Sequence, residues 1–250
     1  MVIVKRVKRL FAALESKQIV REFNPLHRSV LIMKVILFGA TGMVGQGVLR
    51  ECLREDTVET VLAIGRHSSG VTHPKLSELL LSDMFSFDTG DEDLQHFDAC
   101  FFCLGVSSAG MNEVDYRHMT LDLTIGWAQK LAKIYRKMTF IYVSGAGTGG
   151  RSMWAQIKGK TESTLLELFP NAYMFRLAAL QPIHGEVSRT RWTRISYALL
   201  KPLIPVVRML VPNSVITTEE LGRAMIRVAR QGSEKHVLEN RDLIAIGKQE

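Results

Sequence analysis

The fold of this chain is decided by residues 34–50, which have the sequence KVILFGATGMVGQGVLR. Residues 34–39 are continuous, apolar and partly β-branched, which is typical of a short buried strand. Gly39, Gly42 and Gly45 follow at intervals of three, and the residues after them are apolar at helical spacing. A strand that runs through glycines into a helix presents free N–H groups and partial positive charge at the helix N-terminus. The stretch therefore predicts a diphosphate site.

Each of these three glycines is expected to have a different structural role. Gly39 allows a tight turn, Gly42 lets the backbone approach the phosphates, and Gly45 lets the helix pack closely on the strand. A nucleoside triphosphate loop is excluded because it needs a Lys after its last glycine, whereas Val48 follows Gly47. The remaining alternative is a glycine-rich turn that binds no ligand.

The loop also resembles that of a known family. Residues 39–45, GATGMVG, are similar to the cofactor loop of the atypical short-chain dehydrogenase/reductases, nearest to the branch with the Tat-interacting-protein oxidoreductase and epimerase-like bacterial proteins. The resemblance covers residues 33–250 and is poor for the substrate. It implies a Rossmann fold, an α/β architecture whose doubly wound, mainly parallel sheet binds NAD(P) at the carboxyl ends of its strands. The implied cofactor contacts are Gly39, Thr41, Gly42, Met43, Val44, Gly45, Leu104 and Gly105.

The composition fits one domain with a sizeable core. The chain has 250 residues, of which 46% are apolar, and we expect residues 33–250 to form a single domain. The formal net charge of +7 is uneven, because residues 1–32 hold seven basic and two acidic side chains. The rest of the chain is nearly neutral, so no nucleic-acid partner is expected.

The cysteines Cys52, Cys100 and Cys103 are typical of a reducing compartment, and we expect a cytoplasmic location. Cys100 and Cys103 lie on a predicted strand over residues 97–104, where residues three apart point to opposite faces. They are interpreted as core thiols, and no metal site is expected. An uncharged apolar run long enough for a transmembrane helix is absent from the sequence.

Residues 1–32 do not fit the resemblance, and Met33 would be a natural start. Three interpretations stay open: a basic extension with no role in the fold, an amphipathic helix that touches a membrane surface or a partner, and a segment packed on the domain. The helix alternative rests on apolar residues at helical spacing, namely Val4, Val7, Phe11 and Leu14.

A second buried strand is predicted over residues 58–64, and Arg66 follows it. NAD-preferring enzymes have an acid at the end of this strand, which holds the ribose 2′-hydroxyl. Arg66 can instead bind the 2′-phosphate of NADP(H) with its planar, always charged guanidinium, and Ser68 and Ser69 could help. The sequence thus predicts NADP(H) in preference to NAD(H); the alternative is a solvated loop arginine.

A third strand, over residues 79–84, is predicted to end at Asp83. By resemblance, the Asp83 carboxylate would accept a hydrogen bond from the adenine amino group; the alternative is an aspartate that forms a turn. Residues 113–135 are predicted to form one long helix, which by analogy with the family would help to form a homodimer.

The resemblance assigns the chemistry to a loop of small residues and the helix after it. Ser144 follows a predicted strand and corresponds to the catalytic serine, and Lys158 corresponds to the lysine that binds the nicotinamide ribose. Active relatives carry a Tyr four residues before this Lys, where this chain has Trp154. Indole is a single N–H donor and no useful acid at neutral pH. Other candidate proton sources are Tyr116, His184, Ser144 and water.

Residues 178–216 contain four prolines among apolar residues. They predict a substrate lid or a membrane-proximal surface, the latter at residues 195–212. After this segment, residues 217–230 predict a capped helix, and residues 236–246 predict a last strand.

We therefore expect an NADP-binding, oxidoreductase-like protein with an unknown small-molecule substrate. Two alternatives stay open: a cofactor-sensing or regulatory protein without turnover, and an epimerase-type enzyme with bound NAD(P). Because Trp154 replaces the usual Tyr, the sequence leaves open whether the protein is an enzyme.

Overall fold

The computed structural model describes residues 32–87, 94–186 and 214–249. The helix considered for residues 1–32, most of the predicted lid and the surface at residues 195–212 lie outside these ranges. The strands are β1 (Met33–Phe38), β2 (Val58–Gly65), β3 (Leu76–Leu80), β4 (Ala99–Phe102), β5 (Thr139–Gly145), β6 (Ala172–Leu177), β7 (Ala179–Gln181), β8 (Val215–Thr217) and β9 (Val237–Glu239). The helices are α1 (Met43–Arg54), α2 (Glu113–Arg117), α3 (Leu123–Tyr135), α4 (Met153–Leu168), α5 (Thr218–Gln231) and α6 (Asn240–Gly247), with a π-helical segment His118–Asp122 between α2 and α3.

Within the described residues, seven strands form one sheet in the order β3-β2-β1-β4-β5-β6-β9, and β7 pairs separately with β8. Every neighbouring pair is parallel. The chain moves outward from β1 through β2 to β3 and then returns to the other side of β1 with β4. This reversal makes the carboxyl end of β1 the switch point at which Rossmann folds bind their ligands. The predicted doubly wound, mainly parallel α/β fold is confirmed.

Alternating side chains of the sheet feed two separate cores. On β1, Val35 and Leu37 pack into one core with α1, α5 and α6. Ile36 and Phe38 point the other way and pack with α3 and α4. Since both faces are covered by helices, the strand is apolar throughout instead of alternating with polar residues. This is why residues 35–38 form a continuous apolar run.

Three predicted elements differ from the structure. The strand predicted over residues 236–246 is wrong: β9 ends at Glu239, and helix α6 begins directly after it with a capping box between Glu239 and Asp242. Strand β3 ends at Leu80 and therefore stops short of Asp83. The helix predicted over residues 113–135 forms, but a π-helical segment interrupts it.

The capped helix predicted after the proline-rich segment is confirmed as α5. The Thr217 hydroxyl accepts a hydrogen bond from the Glu220 backbone N–H at 3.0 Å, and the Glu220 carboxylate accepts one from the Thr217 N–H at 2.9 Å. This reciprocal pair satisfies two of the donors that a helix N-terminus leaves free. Helix α5 packs on α1 through Thr218, which lies against Gly47.

Candidate functional site

A cleft of about 560 Å³ opens at the carboxyl ends of the central strands, at the switch point. Its volume is in the range of small-molecule and cofactor sites. Of the predicted cofactor residues, nine line this cleft: Gly39, Thr41, Gly42, Met43, Val44, Arg66, Asp83, Leu104 and Gly105. Gly45, Ser144 and Lys158 are not among its lining residues.

The glycine loop at the floor of the cleft depends on two close approaches of backbone. Gly39 has a φ of +82°, and a Cβ on it would lie 2.8 Å from the backbone of Cys103 and Leu104. A Cβ on Gly45 would overlap the carbonyl oxygen of Gly39, so α1 can pack this close to β1 only without a side chain there. The packing task that the sequence assigned to Gly45 is therefore present in the structure.

The N-terminus of α1 faces the cleft without a capping side chain. Its N-cap is Gly42, which has no side chain to offer, and its first turn contains no acid. The first N–H groups of a helix have no partner within the helix, and here Met43 and Val44 line the cleft. An anion in the cleft would meet these N–H groups and the positive end of the helix dipole.

One end of the cleft is polar and contains both basic and acidic side chains. Arg66 is exposed, and it forms no ion pair with any described residue. Glu78 of β3 lines the same end and accepts hydrogen bonds from the hydroxyls of Ser68 and Ser69, each at 2.6 Å. Asp83 accepts a hydrogen bond from the backbone N–H of Phe85 at 3.0 Å, so it does form the turn, and it also lines the cleft.

Phe85, together with residues of the π-helical segment and of helix α3, lines another wall of the cleft. The rings of Phe85 and His118 stack with centroids 4.1 Å apart and an angle of 2° between their planes. Met119 of the π-helical segment and Leu123, the first residue of α3, line the cleft together with Phe85. Single-turn π segments inside helices are frequently found at functional sites, and neither the stack nor this segment was visible in the sequence pattern.

The cysteines behave as core thiols. Cys100 belongs to the core under α3 and α4, whereas Cys103 packs against the opposite core and reaches the cleft. Burial raises the pKa of Cys52, Cys100 and Cys103, so all three remain protonated at neutral pH. The expected opposite orientation of Cys100 and Cys103 is confirmed. A thiol in this form is a poor nucleophile and metal ligand.

Ser144 is held in a buried network of charged side chains. Its hydroxyl donates to the Glu162 carboxylate at 2.6 Å, and the two residues are 4% and 3% exposed. Arg176 of β6 donates to both oxygens of the same carboxylate, to Oε2 at 2.6 Å and to Oε1 at 3.1 Å, and its other amino group donates to Glu239 at 3.2 Å. With its hydrogen committed to Glu162, Ser144 has only lone pairs to offer a substrate.

Lys158 lies on α4 four residues after Trp154 and four before Glu162. Its ammonium is 6.0 Å from the centroid of the Tyr142 ring. Burial lowers the pKa of Lys158, and the nearby Glu162 carboxylate partly opposes that shift. The indole of Trp154 lies against the loop after β5, where a Cβ on Gly147 would be 3.6 Å from it.

Two candidate proton sources occupy different surroundings. Tyr116 is buried with Leu121 and Ile157, and burial raises the pKa of its phenol above the usual value. Its acidity is therefore weaker than that of a free tyrosine. The imidazole of His184 lies 3.2 Å from the Glu219 carboxylate on α5 and is absent from the lining of the cleft.

Sequence reasoning missed two acidic residues, Glu162 and Glu78, whose hydrogen-bond partners lie on other elements of the fold. Glu162 is four residues from Lys158 on the same helix, but a single Glu on a helix is usually a solvated residue. Glu78 stands in the middle of a short strand, where no motif marks it. Both become visible only when parallel pairing brings β2 against β3 and β5 against β6.

Comparison with known sequences gives one distant relative. No protein-family model matches this chain. A protein of Scheffersomyces stipitis, named Protein FMP52-1, mitochondrial, is 24% identical over 208 residues, which cover 81% of this chain and 91% of the relative.

Several solved structures share the fold. The Bordetella bronchiseptica enzyme WbmF, solved in complex with NAD+, superposes with a TM-score of 0.64 at 16% identity and covers 87% of this chain and 78% of its own. A UDP-N-acetylglucosamine 4-epimerase from Methanobrevibacter ruminantium, in complex with UDP-N-acetylmuramic acid, gives a TM-score of 0.61 at 15% identity, with 83% and 76% covered. At these identities the similarity concerns the fold.

The described residues contain neither a membrane-spanning helix nor a metal-binding cluster. No helix among them is long and apolar enough to cross a membrane. Within the same residues, no cluster of three or more His, Cys, Asp or Glu side chains could hold a metal ion.

Proposed function

We propose that this protein binds a nicotinamide dinucleotide, with NADP(H) preferred over NAD(H), and acts as an oxidoreductase-like protein on a small-molecule substrate. The observation that carries the proposal is the cleft at the switch point. There, one continuous cavity is lined by a helix N-terminus without a capping side chain and by Arg66, which forms no ion pair with any described residue. A diphosphate fits this donor set because the N–H groups and the helix dipole attract anions.

Different residues of the cleft would bind different parts of the dinucleotide. The backbone around Gly42, Met43 and Val44 would hold the diphosphate, and Arg66 would meet the adenosine 2′-phosphate. Asp83 would accept from the adenine amino group with the carboxylate oxygen that its turn leaves free. Leu104 and Gly105 would lie along the dinucleotide, and Gly45 keeps α1 close enough for these contacts.

The other half of the proposal concerns Ser144 and Lys158. When bound, the nicotinamide supplies a hydride donor or acceptor. Lys158 would hold the nicotinamide ribose, and Ser144 would orient the substrate as a hydrogen-bond acceptor, since its own hydrogen goes to Glu162. Trp154 would form a wall of the pocket and supplies no acid, so carbonyl reduction is expected to be absent or slow.

A titration with both cofactors tests the cofactor preference. Arg66→Ala should weaken NADPH binding by about tenfold to a hundredfold, because a charge-assisted hydrogen bond contributes about 1.5–3 kcal/mol. NADH binding should barely change. An equal loss for both cofactors would contradict the role of Arg66, and failure of the wild-type protein to bind either one would overturn the proposed function.

The missing acid can be tested directly. Trp154→Tyr should create or raise NADPH-dependent reduction of a panel of carbonyl compounds while the affinity for NADPH stays the same. If the wild-type protein already reduces carbonyls robustly, and still does so after separate replacement of Tyr116 and His184, no substitute side-chain acid is required.

A redox-neutral reaction is the second candidate function. Trp154 stands where reductases of this type carry their acid, and solved structures with this fold include UDP-sugar 4-epimerases. Mass analysis of small molecules released from the purified protein would separate the candidates. A retained cofactor with a sugar nucleotide favours an epimerase-type enzyme, and a cofactor without any turnover favours a cofactor-sensing protein.

The setting of the protein is also part of the proposal. We propose that residues 33–250 act as one domain, that the segment around residues 178–216 covers the substrate, and that the α2–α3 region contributes to a homodimer. A cytoplasmic location is retained, with a mitochondrial one as the alternative that the name of the S. stipitis relative raises. Cell fractionation, with and without residues 1–32, distinguishes the two locations and detects membrane contact.

A further inference from the structure

An acid on a neighbouring strand faces the cleft beside Arg66. Glu78 of β3 stands in register with Ala63 of β2, and its side chain lines the cleft together with Arg66 and His67. The end of β2, where NAD-preferring enzymes carry their acid, has none. Glu78 is therefore a carboxylate at the adenosine end of the cleft to which the proposed function gives no role.

The Glu78 carboxylate is bound by the loop that carries Arg66. Its Oε2 accepts from the Ser68 hydroxyl at 2.6 Å, and its Oε1 accepts from the Ser69 backbone N–H at 2.7 Å and the Ser69 hydroxyl at 2.6 Å. The serine hydroxyls in turn accept from the N–H groups of Gly70 at 3.1 Å and Val71 at 3.3 Å. Both carboxylate oxygens thus hold residues 66–71 against β3.

We propose that Glu78 is a positioning residue for cofactor selection: it clamps the loop after β2 so that Arg66 is presented to the adenosine 2′-phosphate. This inference rests on the proposed function. A guanidinium binds phosphate well when its fork is held in place, because a mobile one must be ordered on binding. Arg66 itself has no partner among the described residues, so its position depends on the backbone that carries it.

The chemistry of the clamp favours this role over a direct contact with the ribose. Both oxygens of Glu78 already accept hydrogen bonds, three in all, and the hydroxyl hydrogens of Ser68 and Ser69 are donated to this carboxylate. The serines therefore act on the cofactor through the clamp and not as phosphate donors. Burial raises the pKa of Glu78, but the hydrogen bonds from Ser68 and Ser69 outweigh that effect and leave the pKa below its usual value. The carboxylate is ionised at neutral pH, so the clamp is closed there.

The test compares Glu78→Gln with the double variant Ser68→Ala/Ser69→Ala, which removes the two hydroxyl donors and keeps the carboxylate. Both should weaken NADPH binding about tenfold, because each disrupts a charge-assisted anchor of the loop, and both should leave NADH binding unchanged. Hydrogen exchange of the free protein should become faster in residues 66–71. Glu59→Gln, which changes an exposed carboxyl on β2, is the matched control and should alter neither measurement.

A double-mutant cycle with Arg66→Ala shows whether Glu78 acts through Arg66. In the Arg66→Ala background, Glu78→Gln should cost no further NADPH affinity, since the group that it positions is already gone. Loss of NADH affinity in Glu78→Gln, with none in the serine variant, would show a direct ribose contact and overturn the clamp. Faster exchange without any change in NADPH binding would also overturn it. A wild-type protein that binds neither cofactor would overturn the proposed function and this inference together.

Discussion

Two regions at the carboxyl ends of the sheet, one at β1 and β2 and the other at β5 and β6, differ in how their charged and polar groups are paired. At the carboxyl ends of β1 and β2, the N-terminus of α1 and Arg66 line an open cleft; Glu78 and Asp83 line the same cleft, but Arg66 forms no ion pair with any described residue. At the ends of β5 and β6, Ser144 and Glu162 are buried, and the Glu162 carboxylate accepts hydrogen bonds from Ser144 and from the partly exposed Arg176. The first region is prepared for an external anion, whereas the second has already supplied its own. A predicted site residue in the first region can therefore bind a ligand directly, whereas one in the second region already has a hydrogen-bond partner in the protein.

The largest effect is expected in the second region. Glu162→Ala should lower the free energy of unfolding by about 3 kcal/mol, the lower end of the range for breaking a buried ion pair, since Arg176 is partly exposed and keeps Glu239. Chemical denaturation measures the loss, and Glu167→Gln on the exposed face of the same helix should leave stability unchanged. A loss no greater than that of the control would show that the network contributes no more to stability than a solvent-exposed ion pair does.

In the first region the expected loss of stability is smaller and comes with a loss of binding. Gly45→Ala forces a methyl group against the carbonyl of Gly39, and overpacking of this kind costs about 1–3 kcal/mol. Because α1 must shift, titration should show strongly reduced affinity for both NADPH and NADH. Gly105→Ala is the control for stability, since its Cβ would meet nothing within 4 Å. Unchanged affinity in Gly45→Ala would separate the packing of α1 from ligand binding.

Removal of only the Ser144 hydroxyl should have a modest effect. Ser144→Ala takes one hydrogen bond from Glu162, which keeps its contacts with Arg176, and a net cost of about 1 kcal/mol is expected. NADPH affinity should stay the same. A loss as large as that of Glu162→Ala would mean that the serine is the centre of the network, and a loss of NADPH affinity would connect the two regions.

The smallest effect is expected from deletion of residues 1–32. A chain that starts at Met33 should keep its affinity for NADPH, and its melting temperature should fall by less than about 5 °C, which corresponds to roughly 1–2.5 kcal/mol for a domain of this size. A larger fall would show that the segment packs on the domain. Binding of the full chain to anionic vesicles, lost on deletion, would support the amphipathic helix.

The same contrast explains what the sequence could and could not predict. The spacing of Gly39, Gly42 and Gly45 encodes backbone geometry, which is local, so both the turn and the close helix packing were predictable. Pairing between Glu162 and Arg176 joins residues from different elements, and no local pattern carries it. The error at residues 236–246 has a related cause. The polar residues 239–242 separate two short apolar runs whose period is ambiguous, and the capping box of Glu239 and Asp242 begins a helix there.

The short parallel pair β7–β8 has a consequence for how this protein could diversify. It fixes residues 179–181 beside residues 215–217, and Glu186 adds a second anchor by accepting a hydrogen bond from the Thr218 hydroxyl at 3.1 Å. The number of residues between these anchors can change at little cost, because doubling the length of a flexible connection costs only about 0.6 kcal/mol in closure entropy. Intervals of different length and composition could therefore be grafted between β7 and β8 while the dinucleotide cleft stays as it is.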